Sequence, residues 1–212
     1  GARLYPMQAV GAQSLSLRTL VKSRVFWLFM VMMLCAGASE QAVSQWASTF
    51  AEKGLGVSKT VGDLAGPMAF ALLMGTSRLI YGKFGEKMNL NRCMALSTVL
   101  CIAAYLSIIL IPNPVVGLVG CAVCGFSVGI FWPGTFSNAS AAIPNGGTAM
   151  FAFLALAGDL GCAGGPTLTG LVSSAFGNNL RAGILAAIVF PLLMLVGLLL
   201  LKRSRTHKKA NR

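Results

Sequence analysis

The sequence predicts an all-α fold, a polytopic membrane bundle of six transmembrane helices. Six apolar stretches fill nearly all of the 212-residue chain after position 24. Each is long enough for the about 20 residues that cover about 30 Å of hydrocarbon. Composition agrees: 56% of residues are hydrophobic and 10% charged, with a mean hydropathy of +0.75, as in polytopic membrane proteins. The runs are continuous and do not alternate, which excludes barrel strands. Helix is then the element that satisfies its backbone groups within hydrocarbon.

Residues 1–23 read as a cytoplasmic loop leading into the membrane. They lack the charged, apolar and cleavage regions of a signal peptide, and the Gly-Ala-Arg-Leu start is expected to continue from an upstream part of a longer protein. The first span, 24–50, opens at Arg24 and carries most of the polar residues found inside any span. The second, 60–81, holds Asp63 near its outer end. The third, 92–111, stops at an Ile-Pro-Asn-Pro turn, a strong breaker. In the fourth, 115–142, Gly117, Cys121, Gly125 and Gly129 recur every four residues before Phe131-Trp132-Pro133-Gly134 interrupts the helix. The fifth, 147–175, follows an Ile-Pro-Asn-Gly turn and contains Gly158, Gly161, Gly164 and Gly165, the small-residue spacing that lets helix backbones approach closely. The sixth, 181–201, precedes a basic tail at 202–212.

Charge orders these elements across the membrane. If the first segment is cytoplasmic, the inside holds Arg3, Arg18, Lys22 and Arg24, then Arg78, Lys83, Lys87 and Arg92, then Lys202, Arg203, Arg205, Lys208, Lys209 and Arg212. These are 14 of the 17 basic residues, the bias of the positive-inside rule, and they place both ends in the cytoplasm. The net charge of +12 therefore reports topology, and no nucleic-acid partner is expected. The six cysteines lie in or at the edges of spans and read as packing residues; Cys121 and Cys124 have no second pair to complete a metal site. No cofactor is expected.

Polar groups inside spans are costly and mark interior paths. On a continuous helix Glu40, Gln41, Ser44, Gln45 and Ser48 fall on one arc. That stripe must face protein or water, either as a solute-binding set or as hydrogen-bonding glue between helices. Trp46, across the helix from Glu40, either stacks on a solute or anchors the interface. Asp159, among the glycines of the fifth span, is a candidate for coupling or gating, or for a structural hydrogen bond. Asn138 shares a face with Ser127 and Thr135, which suits a cavity wall or packing. Arg78, Lys83, Lys87 and Arg92 surround one acid, Glu86, in the second connection, and such charges can hold one conformation at the cytoplasmic face.

That connection resembles the cytoplasmic signature of the major facilitator superfamily, with Gly82, Phe84, Glu86, Lys87 and Arg92 in matching places and Arg78 fitting the end of the preceding helix. It departs with Glu86 for the usual Asp, Asn89 for the second glycine and Asn91 for the first terminal base. More narrowly, Gly37, Glu40 and Trp46 with Leu-Gly-Val-Ser at 55–58 resemble the seventh helix of fucose-permease-like sugar transporters. Phe131-Trp132-Pro133 resembles their tenth, and Gly158-Asp159-Leu160-Gly161 with Pro166 and Gly170 their eleventh. The resemblance, over 24–201, implies the carboxy-terminal half of a twelve-helix transporter, each half being two inverted three-helix repeats, with residues 1–23 as the central loop. It implies transport of a small polar solute, a sugar, by alternating access against an amino-terminal half, coupled to protons, in a bacterial cytoplasmic membrane. Glu40, Gln41, Gln45, Trp46 and Asn138 are the expected solute contacts, and Asp159, Arg78, Glu86 and Lys87 the coupling or gating residues. The rival readings are a half-size transporter working as a homodimer and a non-transporting membrane adaptor. A membrane-embedded enzyme is disfavoured, because the chain lacks a Gly-x-Ser-Gly with a helix histidine and has only Asp63 and Asp159 as aspartates.

Overall fold

Four of the six spans begin where a polar side chain takes up a free N–H group of the first helical turn. Ser23 accepts from the Phe26 N–H (3.4 Å), Asn89 from Arg92 (3.2 Å), Asn113 from Val115 (2.9 Å) and Asn179 from Arg181 (3.1 Å), as helix N-caps do. Pro114 follows Asn113 at the first helical position, where its missing N–H is not needed. The computed structural model describes residues 15–56 and 58–210; the first 14 residues of the expected loop and the last two of the tail lie outside the described residues.

The described chain is helical throughout, without a strand. Helix α1 (Leu17–Lys22) precedes α2 (Arg24–Ser44) and α3 (Ala47–Leu55), which together form the first span. Helix α4 (Lys59–Phe84) is the second, α5 (Leu90–Leu110) the third, α6 (Pro114–Val128) with α7 (Phe131–Ala142) the fourth, and α8 (Gly147–Ala175) the fifth. Helices α9 (Leu180–Ala187) and α10 (Val189–Ala210) make the sixth. Six helical stretches are long and apolar enough to cross a membrane.

Two local expectations change. The segment before Arg24 is not all loop: Ser16 caps α1 and Leu20 is only 1% exposed, so capping and burial fix a helical turn there. The interruption of the fourth span falls at Gly129–Ile130, just ahead of Phe131. Pro133 explains the position, because it has no N–H to give to the carbonyl four residues back, that of Gly129.

The spans pack with an internal symmetry. The first lies against the fifth and the fourth against the second; the first also meets the sixth, the fourth meets the third, and the third and sixth touch each other. Exchanging every span for the one three positions away maps these contacts onto one another, whereas the extensive first–second and fifth–sixth contacts have only slight counterparts, so the two three-helix units match in part. The first and fourth spans are central, with 61% and 56% of their apolar windows buried, against 17% for the second and 28% for the fifth.

Two glycine seams hold the arrangement. Between α2 and α8, Gly37 abuts the Gly158 carbonyl and Cys162, Gly161 abuts Leu34 and Ala38, and Gly165 abuts the Ala38 backbone. Between α4 and α6–α7, Gly125 abuts the Phe70 backbone and Gly129 abuts Met74 and Ser77. A Cβ at any of these positions would overlap a neighbour, so close backbone packing replaces the hydrophobic drive that lipid does not supply between helices. Behind the seams, the buried Tyr105 hydroxyl donates to the Ser39 carbonyl (2.9 Å) and fastens the third span to the first.

Candidate functional site

The carbonyl that Pro133 leaves free is the start of the site. Arg78 Nε–H donates to Gly129 O at 3.4 Å, and a second guanidinium nitrogen lies 3.7 Å from Glu40 Oε2. Glu40 Oε1 accepts from Gln41 Nε2 at 3.4 Å. Three spans therefore meet around one ion pair: the first through Glu40, the second through Arg78 and the fourth through the Gly129 carbonyl. Glu40 is 9% exposed and its Oε2 has no hydrogen-bond donor among the described residues. The side chain of Arg78 is 45% exposed. One group is thus a buried acceptor, the other a charged donor with an open side.

That open side is a groove of about 380 Å³ lined by Arg78, Tyr81, Trp132, Pro133 and Phe136. Tyr81 stands three residues after Arg78 and Phe136 four after Trp132, so each pair shares a helix face. The Trp132 and Phe136 rings are 6.3 Å apart, and Phe136 lies 5.7 Å from Phe151. The Tyr81 hydroxyl is 3.3 Å from Ser137 Oγ. Gly158 makes room for Trp132, since a Cβ there would overlap the indole ring. A guanidinium beside aromatic faces binds a molecule with hydrogen-bonding edges and a flat apolar face. Because Glu40 and Arg78 cancel in charge, an uncharged solute enters without leaving a net charge in a low-dielectric site.

The expected residues divide. Glu40, Gln41 and Arg78 come together, although Arg78 had been expected at the cytoplasmic connection and Glu40 sits behind it, off the groove wall. Gln45 is exposed at the Gln45–Trp46 interruption, and Trp46 is half-buried, its indole N–H without an acceptor among the described residues. Farther along the stripe, Ser48 donates to Asp63, so the stripe faces the second span at two levels. Asn138 is 2% exposed and donates to Met94 Sδ at 3.2 Å; with the buried Ser127 and Thr135 it faces the core, not the groove. Asp159 is exposed midway along the fifth span, with no hydrogen bond or ion pair among the described residues. Lys87 is exposed on the short 3₁₀ turn Gly85–Lys87, and the side chain of Glu86 lies outside the described residues. Asn89, which stands where the signature has a glycine, caps α5.

Tyr81, Phe136 and the Gly129 carbonyl were not singled out from the sequence, and Trp132 was read as part of a helix interruption and of a resemblance, not as a solute contact. Helical spacing from Arg78 and from Trp132, and the four-residue offset of Pro133 from Gly129, are the signals that point to them.

A family model described as Major Facilitator Superfamily matches residues 3–166, well over half of the chain. No curated protein and no solved structure matches it.

Proposed function

The chain belongs to the Major Facilitator Superfamily and is a membrane-transport protein, and we propose that its solute is a small polar organic molecule, a sugar, bound in the Arg78–Trp132 groove. The observation that carries this reading is a charge-balanced donor and acceptor, Arg78 and Glu40, set beside the aromatic wall of Tyr81, Trp132 and Phe136. Arg78 donates to solute hydroxyls, the rings cover its apolar face, and Glu40, steadied by Gln41, positions the guanidinium.

The groove is walled by residues of the second and fourth spans, and the second is the least buried of the six. An exposed carboxylate midway along a span, Asp159, is costly against lipid. Both features suit a second six-helix unit closing over this face, the amino-terminal half of the same transporter, with solute held between the halves and released by their rocking. The basic end of the bundle, with both termini, is cytoplasmic, in a bacterial cytoplasmic membrane, and Asp159 takes the coupling proton.

Uptake of labelled sugars by the full-length protein in vesicles tests the reading. Trp132→Ala is expected to lower uptake by about two- to tenfold, mainly through KM, because a stacked aromatic contributes about 0.5–1.5 kcal/mol. Undiminished uptake would remove the groove as the solute site. In the same vesicles a pH gradient should drive accumulation in the native protein but not in Asp159→Asn, which should retain equilibrative exchange. Gradient-driven accumulation by that variant would dismiss Asp159 as the coupling group.

A further inference from the structure

Helix α1 is too short to span anything, yet it is firmly placed. Its inner side is fixed by Leu20, 1% exposed, and the chain just before it by the Leu15 N–H, which donates to the Asn145 carbonyl at 2.9 Å. Ser23 is extended, with ψ 117°, so the chain turns between α1 and the first span. Since Arg24 opens that span, α1 sits at the level of the membrane surface.

Its outer side is divided. At about 100° per residue, Leu17 and Val21 lie side by side next to the buried Leu20, and Arg18 and Lys22 lie on the flank beyond them. Leu17 is 55% exposed, Val21 45% and Trp27 52%. The Trp27 indole N–H donates to the Val21 carbonyl at 2.8 Å, which joins the tryptophan to α1 in one apolar patch. Arg18, Lys22 and Arg24 are exposed around it. An apolar strip edged by cations, at surface depth and with a tryptophan, is the pattern of a helix lying in the membrane interface.

We propose that α1 seats this end of the bundle on anionic phospholipid, with Leu17, Val21 and Trp27 at the acyl-chain boundary and Arg18, Lys22 and Arg24 on headgroup phosphates. The charge of the patch selects the lipid: three cations and no acid in 17–27 favour phosphatidylglycerol over a zwitterionic headgroup, since each basic residue at an anionic surface adds about fivefold to local affinity.

The test uses full-length protein in phosphatidylcholine nanodiscs in which about a quarter of the lipid is brominated, either as phosphatidylglycerol or as phosphatidylcholine. The Trp27 fluorescence is taken as the difference between the native protein and Trp27→Phe. Brominated phosphatidylglycerol is expected to quench that signal about twice as strongly as the zwitterionic lipid. The excess should disappear when Arg18, Lys22 and Arg24 are all replaced by glutamine. Equal quenching by both lipids, or an excess that survives the triple substitution, would overturn the proposal. Absence of quenching by either lipid would also overturn it, because the patch would then be covered by protein.

Discussion

Arg78→Ala is expected to abolish solute uptake and to destabilise the bundle by about 2–3 kcal/mol, and adding Glu40→Gln should restore most of the stability without restoring uptake. Removing the guanidinium strands a carboxylate that is 9% exposed. Breaking one side of a fully buried pair costs about 3–5 kcal/mol; the lower figure is expected here because the Arg78 side chain is 45% exposed and partly screened. The Gly129 carbonyl also loses its donor, and Pro133 prevents the helix from supplying another. Converting Glu40 to a neutral amide removes the stranded charge, so the double variant should recover most of the loss and fall short of the native protein only by the missing Gly129 hydrogen bond. It still lacks the cation on the groove wall, so uptake stays absent. Thermal unfolding in detergent and vesicle uptake read the two effects separately. Equal destabilisation of the single and double variants would mean that the ion pair does not organise the three spans.

The second large effect is at the glycine seam. Gly161→Val is expected to prevent the first and fifth spans from packing, with a loss at or above about 3 kcal/mol, the upper end for overpacking. Its Cβ would overlap the Leu34 carbonyl and lie 2.9 Å from the Ala38 nitrogen, and main-chain atoms cannot rotate away as a side chain can. Gly164→Val is the matched control, because a Cβ there meets nothing within 4 Å. That variant should fold normally. Size-exclusion profiles and melting temperatures of the two variants decide the point, and a normally folded Gly161→Val protein would refute the seam.

The spans were legible because length and hydropathy act locally; the caps Ser23, Asn89, Asn113 and Asn179, which fix four of the starts in the structure, were not read from the sequence. The polar stripe was legible too, but not its partner. Which residue of the second span stands beside Glu40 depends on the axial register of two helices, and that register is set by contacts such as Gly66 on Ala47, which no periodicity reveals. Arg78 lies six residues before the end of α4 and so looked like a surface anchor. Side chains on a helix lean toward its N-terminus; α4 starts at the opposite end of the bundle, so Arg78 reaches back toward the interior. Asn138, Ser127 and Thr135 are all buried, and which helices cover them depends on tertiary packing that spacing along one span does not encode.

The two glycine seams also determine where the molecule can bend. Helices pressed main chain to main chain resist sliding, because a shift of a fraction of a turn drives a carbonyl into the opposing backbone. The middle of the first span is thus clamped to the fifth, and the middle of the fourth to the second. Compliance is left to the interruption at Gln45–Trp46, which lies beyond the first seam, whereas the one at Gly129–Ile130 is itself held by the second. Each clamped pair then behaves as a stiff strut, and the Arg78–Glu40 pair sits at the joint where load would pass from one strut to the other.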